Sequence, residues 1–394
     1  MKKITVSLIA AIIYVSGIQA QNIQSTLEQI EANSATLAAI KKQTEATKAA
    51  HRTGIYLPDP EVEFNYLWGS PAATGNRTDL NVMQSFDFPT AYLYKRKIAE
   101  GKAAQVDLQY AVERKSLLLQ ARKICIELVY RNALQAELNK RMQNAESIAA
   151  AWQAKFDRGE TGILELNKAK LNLLNARTES ANSNVEREAL LAELVRLNGG
   201  KAIVFSDSVY ENTSLPADFD EWYANAEAAS PALQQLSQEL EISRRQVQLN
   251  KAQSLPKFSA GYTSERIAGT TLQGIGAGIS IPLWENKNTV RAARAQTVAL
   301  QFAEADAKTQ FYSVLKLQYA KARSLQRLAD DYRQSLQTVS NADLLLIALE
   351  SGQISLIEYV MEQTVSYDAV NRMFETERDF QISLAELMQW DAGQ

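Results

Sequence analysis

Residues 273–284 read Gln273-Gly274-Ile275-Gly276-Ala277-Gly278-Ile279-Ser280-Ile281-Pro282-Leu283-Trp284. In an extended chain Ile275, Ala277, Ile279 and Ile281 share one face, and Gly274, Gly276, Gly278 and Ser280 share the other. Just upstream, Leu255-Pro256 opens a second alternating run, Lys257-Phe258-Ser259-Ala260-Gly261-Tyr262, and a short polar turn separates the two. From Lys287 to Ser351 there is no Gly and no Pro. The pattern predicts a β-hairpin with one apolar face, about 255–282, feeding directly into a very long helix.

The same arrangement occurs earlier. Glu61 to Trp68 places Val62, Phe64, Tyr66 and Trp68 on one face, and Asp79 to Phe88 alternates again up to Pro89, giving a hairpin over about 56–89. No Gly or Pro interrupts Lys102 to Arg158, so a helix of some 65 residues, roughly 100 Å long, is expected before Gly159 and Gly162 break it. Pro282 lies 193 residues after Pro89, and Gly352 lies 193 residues after Gly159. Leu-Pro opens both hairpins, at 57–58 and 255–256. Fixed self-similarity at this scale is one supersecondary unit used twice. The division that follows is 1–20 leader, 21–198 first repeat with a helical hairpin over 90–198, 199–221 excursion, and 222–394 second repeat with a helical hairpin over 283–391. Helices are also expected from Gln21 to about Arg52 and from about Glu221 to Ser254, the latter with Pro231 at its start or at a break.

Residues 1–20 have the form of a secretory signal. Lys2 and Lys3 precede an apolar run, Ile4 to Val15, and Ala20 is the expected cleavage point. Beyond it no segment approaches the ~18 consecutive apolar residues of a spanning helix, so any membrane crossing rests on strands. Cys125 and His51 are the single Cys and the single His of 394 residues. A disulfide within the chain is excluded, and a histidine cluster or a Ser-His-Asp triad would rest on His51 alone. Net charge is −3 and no basic stripe runs along the sequence, which argues against nucleic-acid binding.

Leu325, Leu328, Tyr332, Leu336 and Val339 recur at the 3.5-residue coiled-coil period. Helices of this kind bury a narrow stripe and keep another face wet. The hairpin strands are close to the ~9–11 residues that cross a bilayer, with Tyr66, Trp68, Tyr92, Tyr94, Tyr262 and Trp284 near their ends as candidate interfacial aromatics. Four strands cannot close a barrel, so several chains would have to share one.

The duplicated order, Leu255-Pro256 with its alternating strand, Ile281-Pro282-Leu283-Trp284 leading into a helix, and the turns Phe156-Asp157-Arg158-Gly159 and Leu349-Glu350-Ser351-Gly352 resemble the TolC-like outer-membrane efflux family over essentially the whole mature chain. The resemblance implies a mainly α protein with membrane β: a homotrimer with a twelve-strand β-barrel in outer-membrane lipid, continued by an α-helical coiled-coil barrel through the periplasm. It implies a passive exit duct for efflux or type I secretion, a periplasmic adaptor and an inner-membrane pump as partners, no cofactor and no enzymatic step. By family position Glu358 is a gate acid whose ring of like charges would raise the carboxylate pKa. Glu362 and Glu165 are its companions, and Gly159, Gly162 and Gly352 mark the adaptor-docking turns. A periplasmic coiled-coil adaptor is the alternative, disfavoured by the two amphipathic hairpins.

Overall fold

The computed structural model describes residues 22–211, 213–338 and 342–391. The expected signal segment therefore lies outside the described residues. The chain divides into two compact units. One contains 22–34, Gln120–Thr213 and Leu325–Ile382; the other contains Ala35–Leu119, Ser214–Ser324 and 383–391. Each unit draws on both sequence repeats.

Helix α1 (Ile23–Asn33) starts at Asn22, whose side chain accepts from the Ser25 amide. The expected helix over 21–52 is not continuous. Ser34 is extended, and α2 (Ala35–His51) begins after it. The break has a tertiary cause: Asn33 donates to Asn198 at 3.0 Å and accepts from Lys201 at 2.5 Å, so the end of α1 is clasped to the loop after the first helical hairpin.

Strands β1 (Glu61–Leu67) and β2 (Arg77–Phe86) form the first hairpin, and β3 (Lys257–Ile267) and β4 (Thr270–Ser280) the second. The two join edge to edge into one antiparallel sheet in the order β1-β2-β3-β4. Val62, Val82, Tyr262 and Ile275 lie in one cross-strand row, and Phe86, Phe258 and Ile279 in another on the same face. Glu63, Asn81, Thr263 and Gly274 form a row on the opposite face. The sheet thus has one apolar face and one face of polar or small residues. Every residue of β4 is exposed, with Ile275 at 94%. A Cβ on Gly274 or Gly276 would meet nothing within 4 Å, so these glycines leave open space, whereas one on Gly261 would collide with the Met83 sulfur at 2.3 Å.

Helix α3 (Pro89–Asp157) has 69 residues, a length of roughly 100 Å. Ala121, Cys125, Leu128, Leu134, Leu138, Ala145 and Ile148 form its buried stripe. Cys125 is part of that packing, and burial pushes its thiol up to about 12. Helix α4 (Ile163–Leu197) returns, and the excursion after it is irregular as far as α5 (Phe219–Ala229). Ile203 and Phe205 are buried, and the Tyr210 hydroxyl donates to the Ile126 carbonyl at 3.1 Å. The expected helix over 221–254 is α5 followed by α6 (Pro231–Gln253). Ser230 closes one and caps the other, with its hydroxyl accepting from the Leu233 amide and Pro231 at the first helical position.

The second long helix is described as α7 (Thr289–Thr338) and α8 (Ala342–Glu350), and residues 339–341 lie outside the described residues. Of the stripe expected at Leu325, Leu328, Tyr332 and Leu336, every member but Leu328 is partly buried. The buried positions are Leu315, Ala322 and Ala329, seven apart, and Leu328 is exposed. Ala322, Leu325, Ala329, Tyr332 and Leu336, spaced three and four apart, form one stripe whose small alanines are its most buried members. Helix α9 (Leu356–Met388) returns the chain to Trp390, which meets Phe311 edge-on at 5.3 Å within an aromatic cluster that also holds Phe219, Trp222 and Tyr319. No described helix is long and apolar enough to cross a membrane.

Candidate functional site

The α3–α4 and α8–α9 turns belong to the same unit. Both are closed by the same backbone device. Gly159 and Gly352 adopt φ of +74° and +73°, the left-handed region in which a Cβ is penalised. The Glu160 amide donates to the Lys155 carbonyl at 2.8 Å, and the Gln353 amide to the Ala348 carbonyl at 2.9 Å. Each is a six-to-one bond that satisfies a carbonyl at a helix end. Gly162 differs from the other two glycines, since it is the N-cap of α4 with an ordinary φ of −86° and needs no glycine for its backbone.

Ser355 caps α9. The Ser355 amide donates to the Glu358 carboxylate at 2.7 Å, and the Glu358 amide donates to the Ser355 hydroxyl at 3.3 Å. Ser355-Leu356-Ile357-Glu358 is therefore a capping box, in which two orphan helix donors satisfy each other's side chains. Hydrogen bonds from Ser355 hold the Glu358 carboxyl below its usual range. Within one chain that direction is opposite to the rise expected from a ring of like charges. The capping box is a motif that reading Glu358 by family position passed over, although Ser-x-x-Glu before an apolar run is its ordinary sign.

Glu165 sits in the first turn of α4 and pairs with Lys168 at 2.7 Å; Gly162 offers it no hydroxyl. Glu362 is four residues after Glu358 but has different surroundings. It lines a cavity of about 690 Å³ together with Lys140, Arg141, Tyr332, Leu336 and Tyr367. Buried Arg141 donates to Asn371 at 3.0 Å and to Glu137 at 3.2 Å, and its guanidinium lies 4.1 Å from the Tyr367 ring centre. The three carboxylates thus have three separate settings.

The helix ends pack through Ile148, Ala149, Ala169, Leu349, Leu356 and Tyr359. The Tyr359 hydroxyl accepts from Asn144 at 3.0 Å and from Gln363 at 2.5 Å, and burial raises its pKa. The turns differ at single positions: Ile163 is 52% exposed and its equivalent Leu356 is 3%, whereas Leu164 and its equivalent Ile357 are both exposed and Leu166 and its equivalent Tyr359 are both buried. Among the described residues no cluster of three His, Cys, Asp or Glu is arranged to hold a metal ion.

The candidate interfacial aromatics also separate. Trp68 and Trp284 are 80% exposed, Tyr66 lies against Trp68 with ring centres 5.5 Å apart, and Tyr262 is exposed but stands in the middle of β3 and not near its end. Tyr92 and Tyr94 are half-buried; Tyr92 accepts from the Asp87 amide at 2.9 Å, and Tyr94 packs with Ala91 and Leu249.

No protein-family model matches the chain. The alkaline protease secretion protein AprF of Pseudomonas aeruginosa is 24% identical over 60% of this chain and 53% of its own length. Outer membrane protein TolC of Vibrio cholerae is 21% identical over 95% of this chain and 91% of its own. Among solved structures, CusC superposes with a TM-score of 0.80 at 13% identity, over 95% of this chain and 93% of that one. The Campylobacter jejuni CmeC outer membrane channel gives 0.76 at 16% identity, over 94% and 85%. The chain is thus similar to TolC along nearly its whole length and shares the fold of the CusC and CmeC channels.

Proposed function

We propose that this chain is the outer-membrane exit duct of a tripartite efflux or type I secretion system, acting as a homotrimer. One observation carries the reading. A four-stranded sheet with an apolar face, a polar and open face and two unpaired edges continues into two long helices, α3 of roughly 100 Å and α7 of roughly 75 Å. In hydrocarbon an open edge leaves backbone donors and acceptors unsatisfied. Three copies joined at β1 and β4 give twelve strands and no edge, with apolar residues toward lipid and glycines toward a clear lumen. The secretion branch of the proposal draws on AprF, and the outer-membrane location on TolC. The long helices then form the periplasmic conduit, and the duct binds a periplasmic adaptor fed by an inner-membrane pump. Ile163 and Leu164 make the first turn the apolar half of the adaptor contact. No cofactor and no covalent step is assigned.

Membrane fractionation tests this reading. A detergent-extracted, heat-modifiable trimer in the outer membrane supports it, and a monomer released by osmotic shock sinks it in favour of a soluble adaptor. Glu358 is proposed as a carboxylate of the closed entrance. In planar bilayers Glu358→Ala is expected to reduce cation selectivity and block by multivalent cations, and unchanged values remove Glu358 from the gate.

A further inference from the structure

Where the sheet meets the helices, four chain segments assemble a collar of positive charge. The end of α2, the start of α3, the end of α6 and the start of α7 are neighbours there. Ala91 and Ile98 pack on Leu249 and Ala252, Asn250 donates to the Thr289 carbonyl at 3.1 Å, and His51, Lys95, Lys102 and Gln246 line one shared cleft. Residues 51–61, 87–102, 251–257 and 285–294 hold ten Lys or Arg against five Asp or Glu, in a chain whose net charge is −3. The five acids are Asp59, Glu61, Asp87, Glu100 and Glu285. Three of them are matched locally: Asp87 by Lys95 at 2.8 Å, Glu100 by Arg96 at 2.9 Å and Glu285 by Lys257 at 3.0 Å. Arg52, Lys97, Lys287, Arg291 and Arg294 are exposed.

Helix dipoles account for only part of this placement: Lys251 lies in the last turn of α6, where a cation is favoured, whereas Arg291 lies in the first turn of α7, where it is not. Immediately on the sheet side of the collar stand exposed Tyr56, Leu57, Ile281, Leu283 and Trp284. An apolar band, then aromatic rings, then cations is the order met on passing from acyl chains to headgroups.

We propose that this collar binds the phosphates of anionic phospholipids in the leaflet facing the helices, with Lys287, Arg291 and Arg294 beside Trp284 as one contact and Arg52 beside Tyr56 as another. The proposal rests on the membrane reading above and adds the headgroup chemistry. Trp284 is the reporter. The whole protein, carrying Trp68→Phe so that Trp284 is the tryptophan at the sheet, is reconstituted in phosphatidylcholine bilayers containing brominated phosphatidylglycerol or brominated phosphatidylcholine. At low salt, Trp284 is expected to prefer the anionic quencher by roughly fivefold. The preference should vanish in 1 M NaCl and in the triple variant Lys287→Gln, Arg291→Gln, Arg294→Gln. It should survive in Lys287→Arg, Arg291→Lys, Arg294→Lys. Equal quenching by both lipids, or a preference retained by the glutamine variant, overturns the collar alone. Loss of the preference to inorganic phosphate at matched ionic strength overturns the lipid assignment. No quenching by either lipid overturns the membrane reading and the collar with it.

Discussion

The two helix turns share a backbone and divide the side-chain work. Gly159 and Gly352 have the same left-handed conformation, and the closing hydrogen bonds fall at positions 193 residues apart in each case. Around that frame the first turn exposes Phe156 and Ile163 where the second buries Leu349 and Leu356, and it links Arg158 to Glu160 where the second caps itself with Ser355 and Glu358. Duplication fixed a reversal whose geometry needs one glycine and a few backbone groups. Other positions diverged singly, at Phe156 and Leu349, Gly162 and Ser355, and Ile163 and Leu356, while Leu166 and Tyr359 kept the same buried place.

The sharpest way to break this comparison is at Tyr359. Tyr359→Ala removes the fully buried ring of the second turn and leaves the Asn144 and Gln363 amides without their acceptor. A loss of about 3–5 kcal/mol is expected, against under ~0.5 kcal/mol for Ile163→Ala at the exposed first turn. Hydrogen-exchange opening energies of the α9 and α4 amides measure both. Next, Gly159→Ala and Gly352→Ala should each cost about 1–2 kcal/mol, and equally, because neither Cβ meets a neighbour and only the backbone conformation is penalised. Unequal costs would show that the two reversals are not the same device.

The caps give a smaller effect of opposite sign. Ser355→Ala should destabilise the start of α9 by about 1 kcal/mol, and Gly162→Ser should stabilise the start of α4 by a few tenths. The same exchange measurement reads both, and a Gly162→Ser variant without gain would mean that Glu165 stays with Lys168 instead of closing a box. Smallest is the pH response. Glu358 titrates below its unfolded value of 4.5, so its contribution is complete above pH 4.5 and disappears as pH falls through the lower folded value. Amide protection in the first turn of α9 should fall in that acid window and not above it. A fall beginning near neutral pH would contradict the lowered direction.

Strand alternation around Ile275 and Phe64 was legible because a strand with one apolar and one polar face writes them with period two. The 193-residue offset was legible because glycine and proline mark chain reversals in any context. Phase along α7 was legible at Leu325, Tyr332 and Leu336, which share a stripe with buried Ala322 and Ala329, and failed only at exposed Leu328. The break at Ser34 depends on Asn33 meeting Asn198, a contact 165 residues distant that no local pattern announces. At the candidate gate, Ser355 and Glu358 spelled a capping box in plain order, and a reading from family position passed it by. The positive collar shows the same limit. Its cations sit in four separate segments, none of them a basic stripe, and become one surface only when the helices meet.

Strand β4 has a consequence for how the protein is made. Along its eleven residues both faces are bare, and it ends the sheet. Such an edge templates any passing strand, and a chain carrying it through an aqueous compartment is an aggregation hazard until the edge is matched. In the duct proposed here, barrel closure and membrane insertion would therefore be a single event, since only closure removes the edge.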